Sequence, residues 1–196
     1  MKNKTIMKKT LLLVILSITF SGILNSQGKL TADKEKSKLE WLGEKVTGQH
    51  AGSINLQSGW LDWQDNKIVS GEFNIDMTSM KDYDGNERLE GHLKSEDFFG
   101  VQKYPVSKLV LTESTSFEKG TGLVKGLLTI KGVTHPVEFR AAVQKTEEGN
   151  RYFANIIVDR SKYDIRYGSG SFFENLGDKT IYDEFKLKVN LLLKKS

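Results

Sequence analysis

The 196-residue chain has no cysteine, two prolines and a formal net charge of +4, so disulfide staples are excluded and burial alone must hold the fold. The excess charge is confined to the N-terminus: Lys2, Lys4, Lys8 and Lys9 precede any acid, and without residues 1–26 the remaining 25 Lys and Arg balance 25 Asp and Glu. A formally neutral body gives no electrostatic reason to expect nucleic acid as a partner.

Residues 1–26 read as an export signal: lysines, then the apolar run 11–20, then small and polar residues. The run is shorter than the roughly 18 apolar residues of a membrane span. A cleaved signal ending after Ser21 or Ser26 is expected, with an uncleaved anchor over 10–24 as its alternative. The mature chain is then one domain over 27–196, periplasmic or secreted, with no cysteine to accept a lipid.

Beyond the signal, apolar and polar residues alternate, most plainly in Val137-Glu138-Phe139-Arg140-Ala141. A single-residue period marks strands with one apolar and one wet face. Eight strands are predicted, at 37–47, 51–63, 67–77, 106–113, 123–131, 135–145, 151–159 and 180–193. Turn-forming runs such as Asp65-Asn66, Glu118-Lys119-Gly120, Glu147-Glu148-Gly149-Asn150 and Gly177-Asp178 fall between them. Between the third and fourth strands, Leu89, Leu93 and Phe98 recur at helical spacing after the capping residue Asn86. Ser95, followed by Glu96 and Asp97, predicts a second cap opening a turn that carries Phe98 and Phe99. Residues 161–176 are irregular, and Tyr163, Tyr167, Phe172 and Phe173 mark an aromatic flap.

Parity gives a consistent inner face. Val69, Phe73, Ile75 and Met77 share one side, as do Phe185, Leu187, Val189 and Leu191, while Val124, Leu128 and Ile130 line up with Gly126 and Gly132. Glycine within a strand marks close approach or a tight bend. Eight antiparallel strands can close into a barrel without exposed edges, filled by its own side chains or holding one small ligand. The periodicity leaves both interiors open.

The sequence offers little for catalysis. His50, His92 and His135 lack metal-site spacing, Tyr167-Gly168-Ser169-Gly170-Ser171 lacks the following Lys and Ser/Thr of a phosphate loop, and no serine sits in a nucleophile elbow. No catalytic residue, metal or cofactor is expected. Asp76 and Asp159 end apolar strands, where an acid caps a turn or pairs with a neighbour such as Arg160.

Five blocks in order resemble the YceI-like family. They are Trp41 with Thr47-Gly48-Gln49-His50-Ala51-Gly52; Gly71-Glu72-Phe73-Asn74-Ile75-Asp76-Met77-Thr78-Ser79; and His92-Leu93-Lys94-Ser95-Glu96-Asp97-Phe98-Phe99 with Lys103-Tyr104-Pro105. The last two are Gly126-Leu127-Leu128-Thr129-Ile130-Lys131-Gly132-Val133-Thr134-His135-Pro136-Val137 and Asp159-Arg160-Ser161-Lys162-Tyr163-Asp164-Ile165. The resemblance covers essentially the whole mature chain. It implies an all-β, eight-stranded antiparallel lipocalin-like barrel with a short helical insertion between strands 3 and 4. It also implies an exported protein that holds a polyisoprenoid, isoprenoid quinone or fatty-acid amide in a tunnel, for transport, storage or sequestration.

Carried onto this chain, the resemblance implies that Trp41, Phe73, Ile75, Met77, Val124, Leu128, Ile130, Val137, Phe139 and Phe185 line the tunnel. Leu89, Leu93, Phe98 and Phe99 would close one end, and His50, Arg160 or Tyr163 would meet a head group. His135 stands where many relatives carry another polar residue, so no shared role is assigned to it. Two rival functions remain: a lipid-modifying enzyme using His50, Asp76 or Asp159, and a ligand-free barrel whose Trp60 and Trp63, or Phe172 and Phe173, form a contact patch. The expected partner is a long-chain apolar small molecule, and transient membrane contact and a dimer are both compatible with the sequence.

Overall fold

A computed structural model describes residues 28–195; the signal expected at 1–26 lies outside the described residues. Eight strands follow in chain order: β1 (Gly28–Lys45), β2 (Gly48–Gln64), β3 (Lys67–Asp82), β4 (Val106–Ser114), β5 (Thr121–Ile130), β6 (Val133–Thr146), β7 (Gly149–Asp159) and β8 (Ile181–Lys195). Each pairs antiparallel with the next, and β8 returns to β1 to close the barrel. The helix α1 (Glu87–Lys94) stands between β3 and β4. Its Asn86 side chain accepts the Leu89 N–H at 3.0 Å, as the spacing predicts.

Tight turns set the register. Asp65 and Asn66 between β2 and β3, and Lys131 and Gly132 between β5 and β6, have φ of 48°, 60°, 51° and 78°. Positive φ at both central residues gives a hairpin whose twist matches its strands.

Bulges explain where the structure departs from simple alternation. On β3, Ser70 faces Asp62 while Ile68 faces Trp63, so Val69 is an extra residue. Val69 is therefore exposed and Ile68 buried, contrary to the parity that groups Val69 with Phe73. Further along β3, Asp76 pairs with Asn55 but Lys81 with Ser53. Met77 and Met80, three residues apart, are consequently both buried, and the strand runs to Asp82 rather than to 77.

β1 begins at Gly28 instead of 37. Its pairing with β8 jumps between Asp33 and Lys38, and the Ser37 hydroxyl in that bulge accepts the Leu192 N–H at 3.1 Å. The charged run here hides the strand from a hydrophobic period. Opposite the bulge on β8, three successive residues, Leu191 to Leu193, are all buried.

The two barrel ends are packed differently. At the end holding the first residues of β1, Trp63 packs against Phe117 and Tyr152, with ring centroids 5.3 and 6.0 Å apart. Leu30, Leu61, Ile68, Leu111, Leu191 and Leu193 complete this plug. Trp63 is thus a core residue, not part of a contact patch, whereas Phe172 and Phe173 are exposed. At the other end Leu93, Phe98, Phe99 and Val101 cover Met77, Met80, Leu128, Ile130, Ile156 and Val158.

The flap is a 3₁₀ turn (Arg160–Tyr163), further turns, and a second 3₁₀ turn (Gly177–Lys179). Arg160, only 2% exposed, ties it down. Its guanidinium donates to the carbonyls of Tyr182 (3.1 Å), Ile165 (2.8 Å), Tyr167 (2.9 Å) and Ile181 (2.9 Å), and lies 3.5 Å from the Asp183 carboxylate. One buried cation so replaces the backbone pairing that an irregular segment lacks.

Trp63→Ala is expected to cost about 3–5 kcal/mol of unfolding free energy, because it empties the plug; urea denaturation measures this, and a loss below about 1 kcal/mol would refute the assignment. Arg160→Met is expected to cost about 3–5 kcal/mol by stranding the carbonyls it serves. Amide exchange over 161–180 should rise before that of the barrel strands, and a uniform rise would show that the clamp is not local.

Candidate functional site

Between the two ends lies a cavity of about 510 Å³, within the usual range for small-molecule sites. Register shows why it stays open. Phe139 faces Val124 across the β5–β6 ladder, and Val137 faces Gly126, so both point to the barrel axis. Val124 is wholly buried, yet Val137, Phe139, Phe185, Leu187 and Val189 are only half-buried. All five line the cavity, and their remaining accessible surface faces the lumen. Of the two interiors that the periodicity allows, the barrel has the hollow one.

Glycine and alanine keep the lumen wide and its wall close. A Cβ on Gly52 would overlap the Lys81 carbonyl oxygen and the Trp41 ring, so Trp41 lies flat over β2 only because that residue is glycine. Ala141 and Ala154, neighbours across β6 and β7, put methyl groups where larger side chains would fill the space.

The structure brings most of the expected residues to one wall. Trp41, Phe73, Ile75, Met77, Val124, Leu128, Ile130, Val137, Phe139 and Phe185 line it from the strands, and Leu89, Leu93, Phe98 and Phe99 from under α1. His50 and Arg160 lie at the covered end of the same wall. Tyr163 does not line the cavity: it is buried behind it, its ring edge-on to His135 at 5.3 Å. Arg160 touches the lumen, but its donors are already spent on protein carbonyls. Of the three expected polar contacts, His50 lines the wall with no hydrogen bond to its Nδ1, and that atom faces the Asp82 carboxylate at 3.6 Å.

Asp76 and Asp159 are not on the wall. Asp76 accepts the Thr78 N–H at 2.9 Å, and Asp159 accepts the Ser161 N–H at 3.0 Å, so both cap turns. The carboxylate beside Arg160 is that of Asp183, not the adjacent Asp159.

Several wall residues go beyond the sequence-based set. Ser107 on β4 is buried with no hydrogen-bond partner for its hydroxyl, and it shares the parity of Leu109 and Leu111. Tyr152 reaches the closed end of the lumen, and burial raises its phenol above its ordinary pKa, keeping it neutral. His92 on α1 lines the covered end and meets the Tyr167 ring edge-on at 4.3 Å.

Charge holds the helical cover in place. The Glu90 carboxylate accepts from Lys81 Nζ at 2.8 Å and from the Asp82 N–H at 3.0 Å, and these two donors hold it below its ordinary pKa. Glu44, Lys45, Asp178, Lys179 and Glu184 supply a polar rim to an otherwise apolar vessel.

Comparison with known proteins gives a consistent picture. The family model for the YceI-like domain matches residues 30–193. A UPF0312 protein of Pseudomonas putida is 34% identical over 90 residues, which are 46% of this chain and 47% of that protein. A UPF0312 protein of Pseudomonas fluorescens is 24% identical over 139 residues, 69% of this chain and 72% of the relative. The chain thus aligns with about half the length of the first of these relatives.

Among solved structures, Burkholderia cenocepacia BcnA superposes with a TM-score of 0.68 at 21% identity, covering 84% of this chain and 99% of that one. A polyisoprenoid binding domain from Saccharophagus degradans, implicated in plant cell wall breakdown, gives 0.63 at 15% identity, over 85% and 98%. Campylobacter jejuni YCEI protein gives 0.56 at 17% identity over both full chains. At these identities the structures share the fold. The family match runs from the first strand of the barrel to the last, and the chain belongs to the YceI-like family.

Proposed function

We propose that this protein is exported and holds a long apolar molecule, a polyisoprenoid, an isoprenoid quinone or a fatty-acid amide, inside its barrel. The observation that carries the reading is the lumen itself: about 510 Å³, walled by aliphatic and aromatic side chains and plugged at one end by Trp63, Phe117 and Tyr152. The likeness to a polyisoprenoid binding domain supports the ligand class. The apolar run behind four lysines supports export to the periplasm or beyond.

Binding would draw on the hydrophobic effect, at about 0.8 kcal/mol per buried methylene. The tail would enter the lumen, and the head group would stay at the covered end near His50 and the polar rim. Such a site selects by length and shape more than by polar contacts, which suits carriage or sequestration across water. Catalysis is the less supported reading, since Asp76 and Asp159 cap turns and Arg160 is engaged by backbone.

Mass spectrometry of an organic extract of the purified protein is expected to show a stoichiometric apolar lipid. In a series of fatty-acid amides, affinity should rise about fourfold per added methylene and then level off once the lumen is full. An affinity independent of chain length would rule the lumen out as the tail site. Ala154→Trp is expected to fill the lumen from β7, keeping the far-ultraviolet dichroism of the barrel while abolishing uptake of a polyprenyl probe. Unchanged uptake by that variant would place the ligand elsewhere.

A further inference from the structure

His50 enters β2 just after the first hairpin, and Asp82 ends β3 beside it, with Gly52 and Asp82 paired across the ladder. Asp84 follows in the turn that leads to α1. One ligand atom from each of these three residues lies within 4.8 Å of the others. Asp82 and Asp84 are two residues apart, and it is barrel pairing that brings His50 to them.

The Asp82 side chain is entirely shielded from solvent. Its Oδ2 accepts the Asp84 and Asn86 N–H groups at 3.1 and 3.2 Å, which fixes the plane of the carboxylate. Its Oδ1 is buried with no hydrogen-bond partner, and so is His50 Nδ1. The two atoms face one another at 3.6 Å, too far for a hydrogen bond. Leaving a buried carboxylate oxygen unsatisfied is costly. The gap is, however, one that two ligands can keep when each reaches about 2.0–2.2 Å to a shared metal ion.

We propose that His50 Nδ1, Asp82 Oδ1 and the Asp84 carboxylate bind a divalent first-row metal ion of the Zn²⁺ type at the covered end of the barrel. The two carboxylates balance the charge of the ion. An imidazole among few ligands favours Zn²⁺ over Mg²⁺ or Ca²⁺, which take six or more oxygens. The exposed Asp84 leaves one side open to water for a fourth ligand. His50 also lines the lumen, so the ion ties β2 and the β3–α1 junction together at the edge of the cavity. This assignment is independent of what fills the lumen.

Isothermal titration of Zn²⁺ into the full chain, purified without a histidine tag and stripped with a chelator, is expected to give one site per chain. Asp82→Asn and His50→Ala should each weaken binding by more than about 100-fold, beyond the loss that follows removal of an outer partner. Asp84→Asn changes an exposed residue and keeps the test decisive should the buried variants fail to fold; it too should weaken binding, whereas His135→Ala should not. Co²⁺ bound to the same chain should show the visible absorption of a low-coordinate site, lost in the variants. No stoichiometric binding, or equal affinity in the wild type and in Asp84→Asn, would overturn the proposal and leave an adventitious ion only.

Discussion

Pairing of β8 with β1 is the constraint on which the rest depends, because it makes one amphipathic sheet into a vessel. Once closed, every strand has its apolar face toward a common axis and its ladder groups satisfied, with no edge left to recruit another chain. What lies on that axis is then a question of side-chain volume. Alanine at 141 and 154 stands where leucine or phenylalanine would meet across the lumen, and the interior stays open. The hollow is thus written in a few small residues set among many large ones.

An open apolar lumen is unstable against collapse or flooding unless its ends are held, and the chain holds them by different means. One end is sealed by interlocking rings, with Trp63 between Phe117 and Tyr152, and dense packing resists movement there. The other is covered by segments tied down through charge-assisted hydrogen bonds: Glu90 to Lys81 and to the Asp82 N–H for the helix, Arg160 to four carbonyls for the flap. The asymmetry gives the vessel a floor and a roof.

Most of the architecture was legible in the sequence because a barrel strand buried on one side must alternate, and β5, β6 and β8 do so almost without fault. The failures have local physical causes. Residues 28–36 carry Lys29, Lys34, Lys36, Asp33 and Glu35, and the pairing of Gly28 to Asp33 with β2 and β8 is set by backbone bonds that hydropathy does not report. Val69 reads as inward until the bulge that displaces it is known, and a bulge leaves no signature in composition. Ser107 was readable in principle, since it shares a face with Leu109 and Leu111, but a lone serine in an apolar row does not announce a lumen. The family resemblance puts Arg160 and Tyr163 at a head group, whereas the contacts that occupy them come from the flap, from β8 and from His135, which no motif reports.

The roof consists of two pieces anchored separately, and this decides where it is weakest. The helix hangs from the end of β3, and the flap hangs from β7 and β8. They meet through rings, His92 against Tyr167 at 4.3 Å and Phe98 against Tyr167 at 6.4 Å, with the Arg160 guanidinium 5.4 Å from the Phe98 ring, and through Lys131, whose ammonium donates to the Glu96 carbonyl at 2.9 Å and the Asp164 carbonyl at 3.5 Å. Ring contacts of this kind are worth about 0.5–1.5 kcal/mol each, less than the buried ion and carbonyl bonds that hold either piece to its own strand. Apart from the Lys131 bridge, the seam is therefore held by weaker contacts than either anchor, and Leu89 and Ile181 on its two sides both line the lumen. Lys179 and Glu184 flank Ile181 in the chain and also line the lumen, so part of the polar rim of an otherwise apolar wall lies on the flap side of that seam.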